Sequence, residues 1–255
     1  VYWSAKTSSN LSSIFFEMMH SSPMVLRGIS SMATQSLLKA LCLKYQQVHQ
    51  VEVQIEFTGG VDAAKRIQSG ESFDVVFLAS EAIERLALQG HILAGSRCDW
   101  VKSPVAVAVA SGTVWPKMDT ESQLREAVLS APSLSYSTGP SGTYLEQLFK
   151  RWGVFDQIKD RIVVPPAGTP VGLWVSQGKA ALGFQQRSEL MNQEGVSLVG
   201  DLPTEVACIT TFSAGIGLGL TEDRTQAVHT FLHYLRDVAQ RECKRSHGMD
   251  WVEAS

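Results

Sequence analysis

The chain holds 255 residues, 44% hydrophobic and 18% charged, with a formal net charge of −3. That balance excludes collagen-like, coiled-coil and disordered classes and leaves room for one large domain or two lobes. Lys and Arg are scattered rather than clustered, which argues against a nucleic-acid partner, and no run of about 18 apolar residues offers a transmembrane helix.

Residues 1–23 are rich in serine and carry Phe15-Phe16-Glu17-Met18-Met19, an apolar patch broken by a carboxylate. This segment lacks the uncharged stretch of a signal peptide and is set apart as an N-terminal extension or remnant, outside the core. From Met24 short strand-like runs alternate with helical ones. The pattern predicts a strand over 25–29, a helix over 34–45, a strand over 51–57, a helix over 62–68, a strand over 74–78 and a helix over 81–89 closed by Gly90. This βαβαβ order implies an α/β sheet.

A second α/β unit opens with the unbroken apolar run P-V-A-V-A-V-A in a strand over 103–110, followed by a helix over 121–129. It continues with a strand over 133–136, a helix over 145–152, a strand over 162–164, a helix over 171–177 and strands over 180–185 and 197–199. A glycine-bearing strand over 208–220 and an amphipathic helix over 225–241 complete the chain. Two lobes follow, 24–104 with 201–255 and 105–200, joined by crossings near 102–105 and 200–208. The terminal helix then returns to the first lobe, and the cleft between lobes is the natural site.

Three helix mouths gather hydroxyls and glycines where backbone N–H groups are unpaired, an arrangement that cradles anions. They are Gly28-Ile29-Ser30-Ser31, Phe57-Thr58-Gly59-Gly60 and Tyr136 to Tyr144, which reads Y-S-T-G-P-S-G-T-Y. None contains Lys or Arg, so a shared ligand would be held by N–H and O–H donors. Helix starts are commonly Ser- and Gly-rich for capping alone, and it is the recurrence of three that points to one ligand.

Other signals are weaker. Cys42, Cys98, Cys208 and Cys243 show no paired spacing; Cys42 and Cys208 sit in apolar runs as buried thiols, and four unpatterned cysteines lean toward a cytoplasmic setting. His229 and His233 share a helix face without the H-E-x-x-H pattern, so no metal site and no cofactor is assigned. G-x-S-x-G is absent, and Gly215-Ile216-Gly217-Leu218-Gly219 reads as close packing in a strand rather than a nucleotide fingerprint.

The segments G-I-S-S-M, F-T-G-G-V-D-A-A-K-R-I-Q-S-G-E-S-F-D-V-V-F-L, Y-S-T-G-P-S-G-T-Y and Q-G-K-A-A-L-G-F-Q-Q, in this order, resemble solute-binding proteins of the molybdate-binding type from about Met24 to Asp250. The resemblance implies a two-lobed type II periplasmic-binding fold, each lobe a mixed sheet flanked by helices. It also implies a periplasmic monomer that hands a small oxyanion to an ABC-transporter permease. Carried over by position, Ser31 keeps the family's first-loop serine, with Ser30 beside it. Gly59 stands where a second serine is usual, with Thr58 beside it. Ser141 and Val171 take the positions that offer backbone N–H groups, with Gly142, Thr143 and Tyr144 next to Ser141. Gln186 replaces the usual tyrosine, with Gln185 adjacent. The Gln-Gln pair marks a divergent branch, for which a protonated oxyanion, a small carboxylate or a hydroxylated solute fits as well as molybdate. The expectation is thus non-enzymatic binding of a small polar or anionic solute. The alternatives are a cytoplasmic ligand-sensing domain of the same fold and an α/β enzyme, the latter opposed by the lack of a nucleophile–base pair or paired carboxylates.

Overall fold

Buried strands that are covered on both faces lose the alternation of half-exposed ones, and Val75–Ala79, reading VVFLA, is such a strand. In the computed structural model, which describes residues 24–49, 51–166 and 168–253, it forms the middle of a mixed sheet. The extension assigned to residues 1–23 lies outside the described residues. The first sheet runs β2 (Val51–Thr58), β1 (Met24–Ser31), β3 (Val75–Ala79), β8 (Ile209–Ile216) and β4 (Cys98–Ala110), with β9 (Asp250–Trp251) also on β4. The first three strands are parallel, and β8 runs antiparallel to both β3 and β4.

Side chains alternate across this sheet as the pleat requires. On one face Leu26, Val75 and Phe77 pack with Leu37, Leu38 and Leu41 of α1 (Gln35–Val48) and with Phe231 and Leu235 of α9 (Glu222–Arg236). On the other, Ile29, Val76 and Leu78 meet Ala63 and Ile67 of α2 (Gly60–Gln68) and Ile83 and Leu86 of α3 (Ser80–Leu88). Asp74 fastens the layers: it accepts the Arg27 N–H at 2.7 Å and the Arg224 Nε–H at 3.0 Å, while Arg224 Nη2 donates to the Val25 carbonyl.

β4 runs on into a second sheet. Its first half, to Pro104, pairs β8; from Val105 it pairs β6 (Leu182–Gln186) and from Ala106 β7 (Val196–Asp201), and β5 (Leu134–Tyr136) completes the sheet parallel to β6. The alternating P-V-A-V-A-V-A sequence is read out here by face. Val105, Val107 and Val109 pack with Leu124 and Val128 of α4 (Glu121–Ser130) and with Leu145, Leu148 and Phe149 of α5 (Pro140–Arg151). Ala106 and Ala108 turn the other way, toward Leu190, where small side chains let the backbone come close. At the junction the Val105 N–H donates to the Cys208 carbonyl at 2.8 Å and its carbonyl accepts from Leu202 N–H at 3.1 Å, so the outgoing and returning segments lie side by side.

Several boundaries differ from the sequence reading. Gly28–Ser31 is the end of β1, not a loop, and a Cβ at Gly28 would stand 3.0 Å from Ile55. The helix expected over 145–152 starts at Pro140, because Pro at the first helical position is pre-set for the helix and lacks only an N–H with no partner there. After the short helix α6 (Phe155–Ile158), the strand expected over 162–164 reduces to one bridge between Leu134 and Ile162. The terminal helix ends at Arg236; Asp237 caps a short turn over Val238–Gln240, and α10 (Arg241–Ser246) follows. Of the two thiols expected to be buried, Cys42 is, whereas Cys208 is partly exposed, and all four cysteines are free. Gly217 is fixed by close approach, since a Cβ there would lie 1.8 Å from the Phe73 carbonyl oxygen.

Candidate functional site

At the ends of β1, β2 and β3 the chain turns into helices, and these turns face the start of α5 and the ends of β6 and β8 across one cavity of about 330 Å³. Ser31, Gly59, Ser137 to Ser141, Gln185 and Gln186 all line it. The three helix mouths singled out from the sequence therefore open into the same space. Two further segments were not anticipated: Leu78, Ala79, Glu81 and Ala82 around the start of α3, and Gly168, Thr169 and Pro170 ahead of α7 (Val171–Ser176). A Cβ added at Gly59 would stand 3.6 Å from the Gly168 backbone nitrogen, so the two walls nearly meet there.

The expected residues do not all reach the cavity. Ser30 is fully buried, its hydroxyl 2.6 Å from that of Thr34 and donating to the Ser31 carbonyl, which closes the 3-10 turn Met32–Thr34. Thr58, the last residue of β2, is not among the lining residues, and Thr143 is exposed on α5 with its hydroxyl toward the Gly139 carbonyl. Tyr144 points away, donating to the Val206 carbonyl at 2.9 Å. Gly142 stands behind the wall, where a Cβ would fall 1.7 Å from the Ser137 carbonyl oxygen; glycine is what lets residue 137 fold onto α5. The Val171 N–H is taken up within the protein, donating to Gln185 Oε1 at 2.9 Å.

Two residues of the cavity wall, Ser31 and Gln186, hold buried polar atoms, Oγ and Oε1, without a hydrogen-bond partner among the described residues. Such groups cost stability and are expected to meet a ligand or water. Gln186 Nε2 donates to Thr210 Oγ1 at 2.7 Å, which brings β8 into the site. Ser137 and Ser141 share a hydroxyl contact of 3.1 Å.

The cavity also carries charge that the loops alone did not reveal. Lys65 of α2 and Arg85 of α3 stand exposed at its rim with Glu81. Deeper, Glu189 of α8 (Arg187–Leu190) lines the wall, its Oε1 accepting from Gln185 Nε2 at 2.7 Å. Burial raises the Glu189 carboxyl to about 7, against a smaller lowering from the Gln185 hydrogen bond. The sequence did contain this signal, as a carboxylate three residues beyond the Gln-Gln pair, but only the one-turn helix after β6 brings it into the cavity.

The profile of the family described as bacterial extracellular solute-binding protein matches residues 26–250. The chain belongs to that family. A relative from Pseudomonas sp. named aconitate isomerase is 32% identical over 190 residues, spanning 74% of this chain and 71% of its own. Among solved structures, the periplasmic molybdate-binding protein of Azotobacter vinelandii superposes with a TM-score of 0.72 at 19% identity, covering 89% of this chain and 100% of that one. PEB3 with bound L-phospholactate, from Campylobacter jejuni, superposes at 0.68 and 13% identity, again over 89% and 100%. These likenesses fix the fold as the two-lobed α/β type of the molybdate-binding proteins.

Among the described residues no group of three or more His, Cys, Asp or Glu side chains is placed to hold a metal ion, and no helix is long and apolar enough to cross a membrane.

Proposed function

We propose that this protein captures a small organic carboxylate in the cavity between its lobes and delivers it to the permease of an ABC importer in the periplasm. The observation that carries this reading is the mixed lining of one cavity, where the hydroxyl of Ser31 and the amides of Gln185 and Gln186 stand with Leu78, Ala82, Leu86 and Phe212. A lining that mixes polar and apolar groups suits a carbon skeleton bearing carboxylates better than a bare oxyanion. Size supports the same reading: a tetrahedral oxyanion takes up roughly the volume of two or three waters, at about 30 Å³ each, against a cavity of about 330 Å³. The rim cations Lys65 and Arg85 would attract an anion, and the fold itself accommodates both a metal oxyanion and L-phospholactate in its neighbours. Lobe limits near 104 and 201 give each lobe a share of the contacts, Ser31 and Gly59 from one and Ser141, Gln185 and Gln186 from the other, so ligand would favour the closed form.

A thermal-shift screen of di- and tricarboxylates against molybdate, tungstate and sulfate tests the reading. A ligand that binds only the folded state raises its stability by about 2.7 kcal/mol at a hundredfold excess over Kd. Stabilisation by carboxylates and not by the metal oxyanions is expected; the reverse would refute it.

A second reading keeps the site and adds chemistry. The relative named aconitate isomerase and the position of Glu189, whose acid and base forms coexist near neutral pH, favour proton transfer to and from a bound unsaturated tricarboxylate. Incubating the protein with cis-aconitate and following the trans isomer by proton NMR tests it: catalysed conversion that is lost in Glu189→Gln supports this reading, and no conversion excludes it.

A further inference from the structure

The amide of Gln185 can be oriented without ambiguity. Its Oε1 receives the Val171 backbone N–H, which can only donate, so Oε1 is the oxygen and Nε2 the donor. Nε2 in turn donates to Glu189 Oε1, which makes that oxygen an acceptor. If the Glu189 carboxyl carries a proton, the proton sits on Oε2, the oxygen with no partner among the described residues, in a side chain that lines the cavity. The chain Val171, Gln185, Glu189 thus converts a backbone N–H, buried and unable to reach a ligand itself, into an aimed O–H.

We propose that Glu189 enters the complex as a neutral carboxylic acid and donates from Oε2 to an oxygen of the bound anion, so that capture takes up one proton. This rests on the reading of the cavity as a carboxylate site and names a contact that reading did not include. An ionised Glu189 would set a negative charge against an anionic ligand in a poorly solvated wall, whereas the neutral acid supplies a hydrogen bond there. The burial that raises Glu189 to about 7 in the empty site acts in the same direction, and an approaching anion raises it further.

The surrounding charges leave this proton to Glu189. On its own helix, Arg187 is held by Asp201 of β7 at 2.9 Å and Asp250 of β9 at 2.8 Å. The turn Met32–Thr34, α7 and β6, which also pack on this helix, contribute no ionisable side chain. β4 carries Asp99, paired with Arg97 at 2.9 Å, and Lys102. Lys65, Arg85 and Glu81 stand at the rim, and no histidine lines the cavity.

Calorimetric titration with trans-aconitate at pH 7.5, in two buffers of different ionisation enthalpy, reads the protons bound per ligand. The carboxyls of the free ligand are ionised there, so it brings no proton of its own, and the comparison with Glu189→Gln assigns any uptake to that residue. The expected result is uptake of a large fraction of one proton, with affinity falling up to tenfold per unit as pH rises above 7. In Glu189→Gln, whose amide donates at every pH, uptake vanishes and the affinity no longer depends on pH. Binding without proton uptake, or equal uptake in Glu189→Gln, overturns the proposal and leaves the carboxylate reading standing. Absence of uptake on the unaltered chain overturns the proposal by itself. Failure of the folded protein to bind trans-aconitate at any pH, while metal oxyanions bind, overturns the carboxylate reading and this proposal together.

Discussion

The backbone N–H of Val171 is bound to the side-chain oxygen of Gln185 at 2.9 Å, inside the protein. In proteins resembling this one, the corresponding helix start is expected to aim that donor at the ligand. Here a glutamine at position 185 intercepts it and passes its own N–H to Glu189 at 2.7 Å. The role proposed above for Glu189 is built on this relay.

Removing the intercepting amide tests the arrangement. Gln185→Leu should leave the Val171 N–H buried and unpaired, at a cost of about 1–3 kcal/mol. Urea unfolding should show a lowered midpoint with an unchanged slope. A midpoint equal to that of the unaltered chain would mean that the bond contributes nothing.

Ser31 presents the opposite case. Its hydroxyl is buried with no partner among the described residues, so Ser31→Ala should change the stability of the ligand-free protein by less than about 0.5 kcal/mol or raise it slightly. Affinity for an anionic ligand should fall, since a hydrogen bond to a charged group is worth about 1.5–3 kcal/mol, or roughly ten- to a hundredfold in Kd. Calorimetry on the pair separates the two effects, and a stability loss without an affinity loss would assign Ser31 to structure alone.

Two glycines of the cradle should respond differently to alanine. A Cβ at Gly142 meets the Ser137 carbonyl oxygen at 1.7 Å, whereas one at Gly139 has only the Ser137 hydroxyl at 3.7 Å. Gly142→Ala should cost about 1–3 kcal/mol through forced backbone displacement, and Gly139→Ala should be close to neutral. Thermal melts of both variants check the contrast.

Stability should depend on pH through Glu189. Its carboxyl is raised in the folded state from 4.5 to about 7, so the folded chain holds a proton that the unfolded chain releases between these values. The contribution is fully present below about pH 4.5 and is lost as pH rises through about 7. Glu189→Gln removes this slope and should gain on the unaltered protein between pH 5 and pH 8 by on the order of 1–3 kcal/mol. Denaturant titrations at the two pH values measure it; a constant difference would contradict the raised value.

Much of this was legible in the sequence, for identifiable reasons. The apolar runs and the Gly and Pro residues between them locate most strands and helices of the α/β fold, and Ser- and Gly-rich helix starts point to Ser31, Gly59 and Ser141, which do line one cavity. What escaped was whatever depends on where a side chain turns. Ser30 and Tyr144 carry suitable hydroxyls but spend them on Thr34 and Val206. Thr210 enters the site through strand pairing and Glu189 on the one-turn helix after β6, and no local pattern encodes either. The early start of α5 at Pro140 was missed because serine and glycine at 141 and 142 read as loop, while proline and a close backbone approach favour the helix.

The central claim, that the cavity takes an organic carboxylate rather than a metal oxyanion, is tested most directly by calorimetric titration of one preparation with trans-aconitate, tricarballylate, molybdate and tungstate at pH 6.5. The account predicts saturable one-to-one binding of at least one of the two tricarboxylates, at least a hundredfold tighter than either metal oxyanion and weakened by Ser31→Ala. Molybdate or tungstate binding more tightly than both tricarboxylates would contradict it.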